Sequence, residues 1–377
     1  MISYKVNNIE HKVTFCKSGN LGPISNSLDK IKSDKNILLI YDDKINPKIL
    51  KNIFYELKLS GCKIFSLKST GSKTNKNERF LFDILNFLIK NKFTKKSVVI
   101  SFGGGVIGDV AALASSLYLR GTFYFSIPST MTAIVDSSIG GKTGINYKGI
   151  INSLGTYYHP KNVFILEEII SSLPQREFIA GLAEVIKCGL IDNKKILTFL
   201  LKNKNNILNR KYSFVSKLCE MTINSKIKFF TNDVYENNYR LALNFGHTFA
   251  HAIEMGIENE VKKDHIRHGE AVALGILCEI YYSNKKKNKL FNFAEKLFAS
   301  YGLPVYLSIK KVNINKVKLA ENIYKNIFLD KKKISQYPRY ISLKKQGKPS
   351  INEIKDFDFI NDTILNVLLI KWQKKKN

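Results

Sequence analysis

The chain has 377 residues, 44% of them hydrophobic, with 24 Phe and 18 Tyr. That leaves room for a sizeable core and two domains, and it excludes a disulfide-dependent mini-fold or a disordered chain. The formal net charge is +29, but 53 of the 60 basic residues are Lys and only seven are Arg; the excess reads as solvated faces that attract an anionic substrate, with no nucleic-acid partner.

The first ~170 residues alternate strand-like and helix-like runs, the pattern of an α/β domain. Residues 36–41, 62–67, 97–102 and 123–127 read as strands. Ile49, Ile53, Phe54 and Leu57 follow helical spacing, residues 80–93 form an amphipathic helix, and an Ala/Leu-rich helix runs to Leu119. After a boundary near Ser172 helical runs dominate: 177–191, 214–230, 241–255, 269–282, 291–300 and 317–327. The expectation is a Rossmann-like domain over residues 1–172 and an all-α domain over 173–377. The longest uncharged stretch, 121–135, contains Pro128 and is shorter than the ~18 apolar residues of a membrane helix. The start of the chain has no apolar signal core. Cys16, Cys62, Cys188, Cys219 and Cys278 form no Cys-x-x-Cys pair. These features lead to the expectation of reduced thiols in a cytoplasmic protein without a membrane partner.

Four groups of residues carry chemistry. Gly103-Gly104-Gly105-Val106-Ile107-Gly108-Asp109 places Gly-x-Gly-x-x-Gly between a strand and a helix, where backbone N–H groups cradle a phosphate. The next strand, ending near Ile127, lacks an acidic residue for a ribose, so Asp42 or Asp43 on an earlier strand takes that place. Residues 136–146 combine Asp136, two adjacent glycines and Lys142 in one loop. Arg240, Asn244, His247 and His251 are spaced four, three and four apart, a polar stripe on one face of a single expected helix. Such a stripe implies a metal or a substrate, because unpaired burial costs about 1–3 kcal/mol per group. Glu184 and Lys187 lie one turn apart on an apolar helix, and His268 precedes another. A carboxylate and two imidazoles from separate elements make a catalytic, open metal site.

These residues resemble the 3-dehydroquinate synthase family. The likeness is carried by 101–109, 136–146, 181–189, 244–254 and 268–275, and extends from about residue 36 to Asp330-Lys331-Lys332. It implies a homodimer that uses NAD and one divalent metal, zinc or cobalt. It also implies conversion of 3-deoxy-D-arabino-heptulosonate 7-phosphate, a phosphorylated sugar acid, to 3-dehydroquinate and phosphate. By resemblance Glu184, His247 and His268 are the metal ligands. Asp136, Lys142, Asn152, Lys187, Lys226, Arg240, Asn244 and His251 line the substrate pocket, joined by a Lys of 330–332, and Arg120 reaches the phosphate from the neighbouring subunit. The NAD positions are Asp42, Gly104, Gly105, Val106, Ile107, Gly108, Asp109, Ser129, Thr130, Lys142, Ile169, Ile170, Ser171 and Ser172. Departures are expected at Ser72 and Asn75, where the family has Glu and Lys, and at Ile151, where it has Lys; Lys148 is the nearest candidate to supply that charge. A related sugar-phosphate cyclase and a metal-dependent alcohol or glycerol dehydrogenase are the alternatives.

Overall fold

The computed structural model describes residues 1–31, 33–261, 266–307, 315–328 and 337–370, with the side chains of 259–261 left aside. Contacts divide the chain into one unit of Met1–Phe178 with Arg210–Tyr235, and another of Ile179–Asn209 with Glu236–Asn377. The change falls at Phe178, against an expected Ser172. A helical segment after residue 209 returns to the first unit, which a single cut could not express.

The first unit is built on a seven-stranded sheet. Its strands in chain order are β1 (Ile2–Val6), β2 (Ile9–Cys16), β3 (Asn36–Asp42), β4 (Lys63–Ser69), β5 (Val98–Gly103), β6 (Phe123–Pro128) and, after a separate hairpin of β7 (Ile145–Tyr147) and β8 (Ile150–Leu154), β9 (Asn162–Leu166). The spatial order is β1-β2-β9-β6-β5-β3-β4. All pairs are parallel except β1 with β2. The β1–β2 hairpin was not expected; it turns through Asn7 and Asn8, both at positive φ as a two-residue turn of the mirror type requires. Helices α1 (Gly22–Lys30), α2 (Pro47–Leu59), α3 (Glu78–Lys90), α4 (Gly105–Leu117) and α5 (Glu167–Ser172) follow strands, as parallel crossovers demand. In α3 the Asn77 side chain caps the first turn by accepting from Phe80 N, and Phe80, Leu81, Ile84 and Leu88 bury one face.

The helix α6 (Gln175–Ile191) crosses from the first unit into the second. Next come α7 (Lys194–Leu208), α8 (Tyr212–Thr231, in the first unit), α9 (His247–Val261), α10 (His268–Asn284), α11 (Lys289–Ser300) and α12 (Lys316–Phe328). The second unit is the expected helical domain with one added element. An antiparallel hairpin, β10 (Arg339–Leu343) with β11 (Pro349–Glu353), precedes α13 (Asp358–Thr363). The stretch 241–255 is not one helix. A 3-10 turn spans Tyr239–Asn244, Phe245 is extended, and Gly246 sits at φ +85 before α9 begins. Its Cα also lies against α10: a Cβ there would come within 2.8 Å of Ile276 N, so the break is fixed by close packing.

Candidate functional site

In the first unit the chain runs from β3 outward to β4 and then crosses to β5 on the other side of β3. This reversal opens a crevice beyond the carboxyl ends of β3 and β5, the general ligand position of such sheets. Both expected signals lie there. Asp42 ends β3, and Gly103 ends β5. Gly104 caps α4 in an extended conformation, so the unbonded N–H groups of the first turn face outward from the sheet edge. A Cβ on Gly103 would lie 2.6 Å from Ile107 Cβ, one on Gly104 3.1 Å from Thr130 Cγ2, and one on Gly105 3.2 Å from Ser137 Oγ. The cradle is therefore shaped by missing side chains and fits a pyrophosphate. Burial raises the Asp42 carboxyl pKa, while Lys44 N donates to it.

Some expected cofactor residues turn their side chains to the protein itself. Ile107, Ile169 and Ile170 are buried in the core. The Ser171 and Ser172 hydroxyls donate to carbonyls of their own helix. Ser129 N donates to Gly103 O, which ties the loop after β6 to the cradle.

Two polar clusters flank this region. Lys226 of α8 donates to Asp136 Oδ1 at 2.6 Å and also to the Asp136 carbonyl. Lys76 was not singled out from the sequence. Its Nζ lies 2.5 Å from both Asp109 Oδ2 and Asn152 Oδ1. Asn75 instead turns back to Ser69 and Thr70. The departure expected at Asn75 therefore has a lysine directly after it, and it is Lys76 that reaches Asp109. Lys148, the expected substitute beside Ile151, sits at the hairpin tip with its ammonium 5.6 Å from the Tyr147 ring centre. Its φ of +46 and the +77 of Gly149 show why: together they form the turn. The cation next to Asn152 is Lys76.

The second unit gathers Glu184, His247 and His268, whose ligand atoms all lie within 4.8 Å of one another. Glu184 is buried on α6, paired with Lys187 one turn on. His247 Nε2 is 3.8 Å and His268 Nε2 3.6 Å from Glu184 Oε1. The other ring nitrogens are engaged behind. His247 Nδ1 is 3.3 Å from Phe245 O, and His268 Nδ1 is 3.3 Å from Glu254 Oε2. These partners set both rings to present Nε2 toward the carboxylate, the arrangement of metal-bound histidines. Burial alone would lower the His268 pKa, but the Glu254 and Glu184 carboxylates outweigh it and raise it to about 10. The same negative field suits a bound cation. Three donors of this chemistry fit a divalent metal with open positions. His251 lies beside them, its ring centre 5.6 Å from that of His247. Glu254 was legible, because 247, 251 and 254 share a helix face at intervals of four and three.

Arg240 and Asn244 lie on the 3-10 turn, not on α9. Arg240 is 1% exposed, and Asn244 Nδ2 donates to Glu236 Oε1 at 2.6 Å. Arg120 is exposed in the first unit at φ +61. Lys331 and Lys332 lie outside the described residues.

Glycine sets the helix spacing of the metal site. A Cβ on Gly269 would lie 1.8 Å from Ala180 O of α6, and one on Gly275 2.0 Å from Gly246 O. Both obstacles are backbone, so α10 would have to move. Gly275→Ala is expected to destabilise the protein by about 1–3 kcal/mol, as overpacking does, measured as a lower urea midpoint at unchanged slope. An unchanged midpoint would show that the helices separate freely.

A parallel sheet with a glycine cradle at its reversal point, plus a helical unit with a two-histidine, one-carboxylate donor set, defines the class: an α/β dinucleotide-binding fold with a divalent-metal centre. The family profile described as 3-dehydroquinate synthase N-terminal matches residues 67–180, and that described as 3-dehydroquinate synthase C-terminal matches 181–333. The chain is similar to 3-dehydroquinate synthase of Clostridium tetani, 35% identical over 335 residues, 85% of this chain and 83% of that protein. The chain belongs to the 3-dehydroquinate synthase family. In fold it resembles 2-epi-5-epi-valiolone synthase from Streptomyces hygroscopicus subsp. jinggangensis, solved with NAD+ and Zn2+ bound, at TM-score 0.81 and 18% identity over 96% of this chain and 98% of that one. It is similarly close to 2-deoxy-scyllo-inosose synthase complexed with carbaglucose-6-phosphate, NAD+ and Co2+, at TM-score 0.81 and 21% identity over 97% and 100% of the two chains. Among the described residues no helix is long and apolar enough to cross a membrane.

Proposed function

We propose that this chain is a phosphate-eliminating carbon–oxygen lyase that converts 3-deoxy-D-arabino-heptulosonate 7-phosphate to 3-dehydroquinate with NAD and one divalent metal, zinc or cobalt. The observation that carries the reading is the pair of Nε2 atoms aimed at the buried Glu184 carboxylate. Glu184, His247 and His268 would hold the metal, and the Gly103–Gly105 cradle with Asp42 would hold the dinucleotide. When bound, NAD supplies reversible hydride transfer at carbon five, and the metal polarises the reacting hydroxyl. The protein's own part is placement and charge. The first turn of α4 and its N–H groups receive a pyrophosphate. In the second unit Lys187 and Arg240 supply cations for a substrate bearing a carboxylate and a phosphate. Asp136 holds the Lys226 ammonium in place. Burial of Glu184, Lys187 and Arg240 keeps bulk water from these groups and strengthens each charge interaction.

The proposal includes a homodimer, with the exposed Arg120 reaching a phosphate in the neighbouring subunit. It also includes a cytoplasmic setting, supported by five cysteines without a disulfide. The experiment is incubation with the heptulosonate phosphate, zinc and limiting NAD. Phosphate release should exceed NAD many-fold without accumulating NADH. One NADH per product would instead mark a dehydrogenase, and no phosphate release would end the reading.

A further inference from the structure

The β10–β11 hairpin lies beyond residue 333, where the family match ends. It nevertheless touches every helix that carries a metal-ligand candidate. On α9, Thr248 Oγ1 donates to Arg339 O at 2.7 Å, one residue from His247. On α10, Glu279 Oε2 accepts from Ile341 N at 3.2 Å, and Glu279 is fully buried. On α6, the helix of Glu184, Gly347 N donates to Leu190 O at 2.8 Å and Gln346 Nε2 to Gly189 O at 3.2 Å. The hairpin also packs on the Tyr239–Asn244 turn that carries Arg240. Its own core is apolar: Ile341 and Leu343 are buried, and Tyr340 meets Tyr282 of α10 edge-on at 5.1 Å.

We propose that this hairpin is a buckle that fixes the mutual placement of α6, α9 and α10, with Thr248 and Glu279 as positioning residues for the metal centre. The physical case is one of constraint. Donor atoms on three separate helices bind one cation well only if the helices cannot drift. A metal site tolerates little error in ligand position, and outer groups that orient ligands are worth ~10–100-fold in affinity. Glycines 269 and 275 allow close approach of these helices but do not bond them together; the hairpin does so by hydrogen bonds to all three. A two-stranded hairpin has little stability alone. A fully buried carboxylate is costly unless bonded, so Glu279 placed under β10 spends stability to hold that strand. The hairpin would thus act on the metal through His247, Glu184 and His268, without touching it.

This inference rests on the metal reading, so the test separates the two. Zinc affinity is measured on metal-stripped, folded protein by competition with a chromogenic chelator, alongside the unfolding midpoint of the metal-free form. Wild type should bind one zinc, and failure to do so removes the metal reading itself. Thr248→Val keeps the side-chain shape and deletes the hydroxyl; it is expected to weaken zinc about tenfold, the low end for orienting groups. Glu279→Leu should weaken zinc as well, while Glu279→Gln, which still accepts from Ile341 N, should stay near wild type. If Glu279→Leu does not fold, Thr248→Val and Glu279→Gln still decide the matter. Wild-type zinc affinity in Thr248→Val, even with a lowered metal-free midpoint, would mean that the hairpin is only a structural cover and would overturn the proposal.

Discussion

His268→Ala is expected to lose the metal and to lower turnover by about a thousandfold or more while the protein remains folded. The size follows from the chemistry: a metal contributes several kcal/mol of charge stabilisation, and ~1.4 kcal/mol is tenfold in rate. The fold should survive because His268 opens α10 at its first residue, with a third of its side chain exposed. The helix keeps its reciprocal cap between Arg267 and Glu270. Glu184 keeps its pair with Lys187, while the buried Glu254 gives up its contact with the His268 ring, so the variant should stay folded with a somewhat lower unfolding temperature. Metal per chain by elemental analysis, thermal unfolding and phosphate release are the measurements. Stoichiometric metal and normal turnover in the variant would remove His268 from the donor set.

The donor set was readable because its three pieces are short and local. Glu184 with Lys187, His247 with His251, and His268 each stand on an otherwise apolar helix, where a polar group needs a reason. The parallel sheet was readable too, since β3, β5 and β6 are continuous apolar runs buried on both faces. The stripe from Arg240 to His251 misled because helical spacing says nothing of a break. Gly246 was the visible signal, and only packing against Ile276 shows that it must leave the helix. The hairpin β10–β11 was missed because its strands are short and β11 is largely solvent-facing, so neither shows a clean alternation. In β1 the alternation was clean, with Ile2, Tyr4 and Val6 inward, and the Asn7-Asn8 turn could have flagged it. Lys76 was hidden for another reason. Its partners lie 33 and 76 residues away, and no spacing rule reaches that far.

Lys76→Met is expected to destabilise the first unit by roughly 2–3 kcal/mol at neutral pH, somewhat below the ~3–5 kcal/mol of breaking a fully buried pair. The discount reflects exposures of 14% for Lys76 and 18% for Asp109. Three things hang on this lysine. Its ammonium faces the Asp109 carboxylate and the Asn152 amide oxygen, and its carbonyl accepts from Asn146 N. Asn146 in turn accepts from Asn152 N at 2.9 Å, so one residue ties the β7–β8 hairpin to α4. That hairpin has only two strands, and β8 is exposed throughout; beside the ammonium it is held by the buried Ile145 of β7 and by the Asn146 N to Lys76 O bond, which the substitution leaves in place. The pH dependence has a definite sign. Burial raises the Asp109 pKa, Lys76 opposes that, and nearby Asp136 adds to it. Without Lys76 the folded pKa rises further above the unfolded ~3.9, so the folded state binds more protons than the unfolded one across that window. Stability of the variant therefore falls as pH rises through the folded pKa, and its deficit against wild type should be full at neutral pH and shrink on acidification. Lys76→Arg should recover part of the loss. Urea midpoints across pH give the energies, and the rate of tryptic cleavage after Lys148 at the hairpin tip reports the local release. Equal midpoints in wild type and Lys76→Met, with no change on acidification and no faster cleavage, would show that the ammonium holds nothing in place.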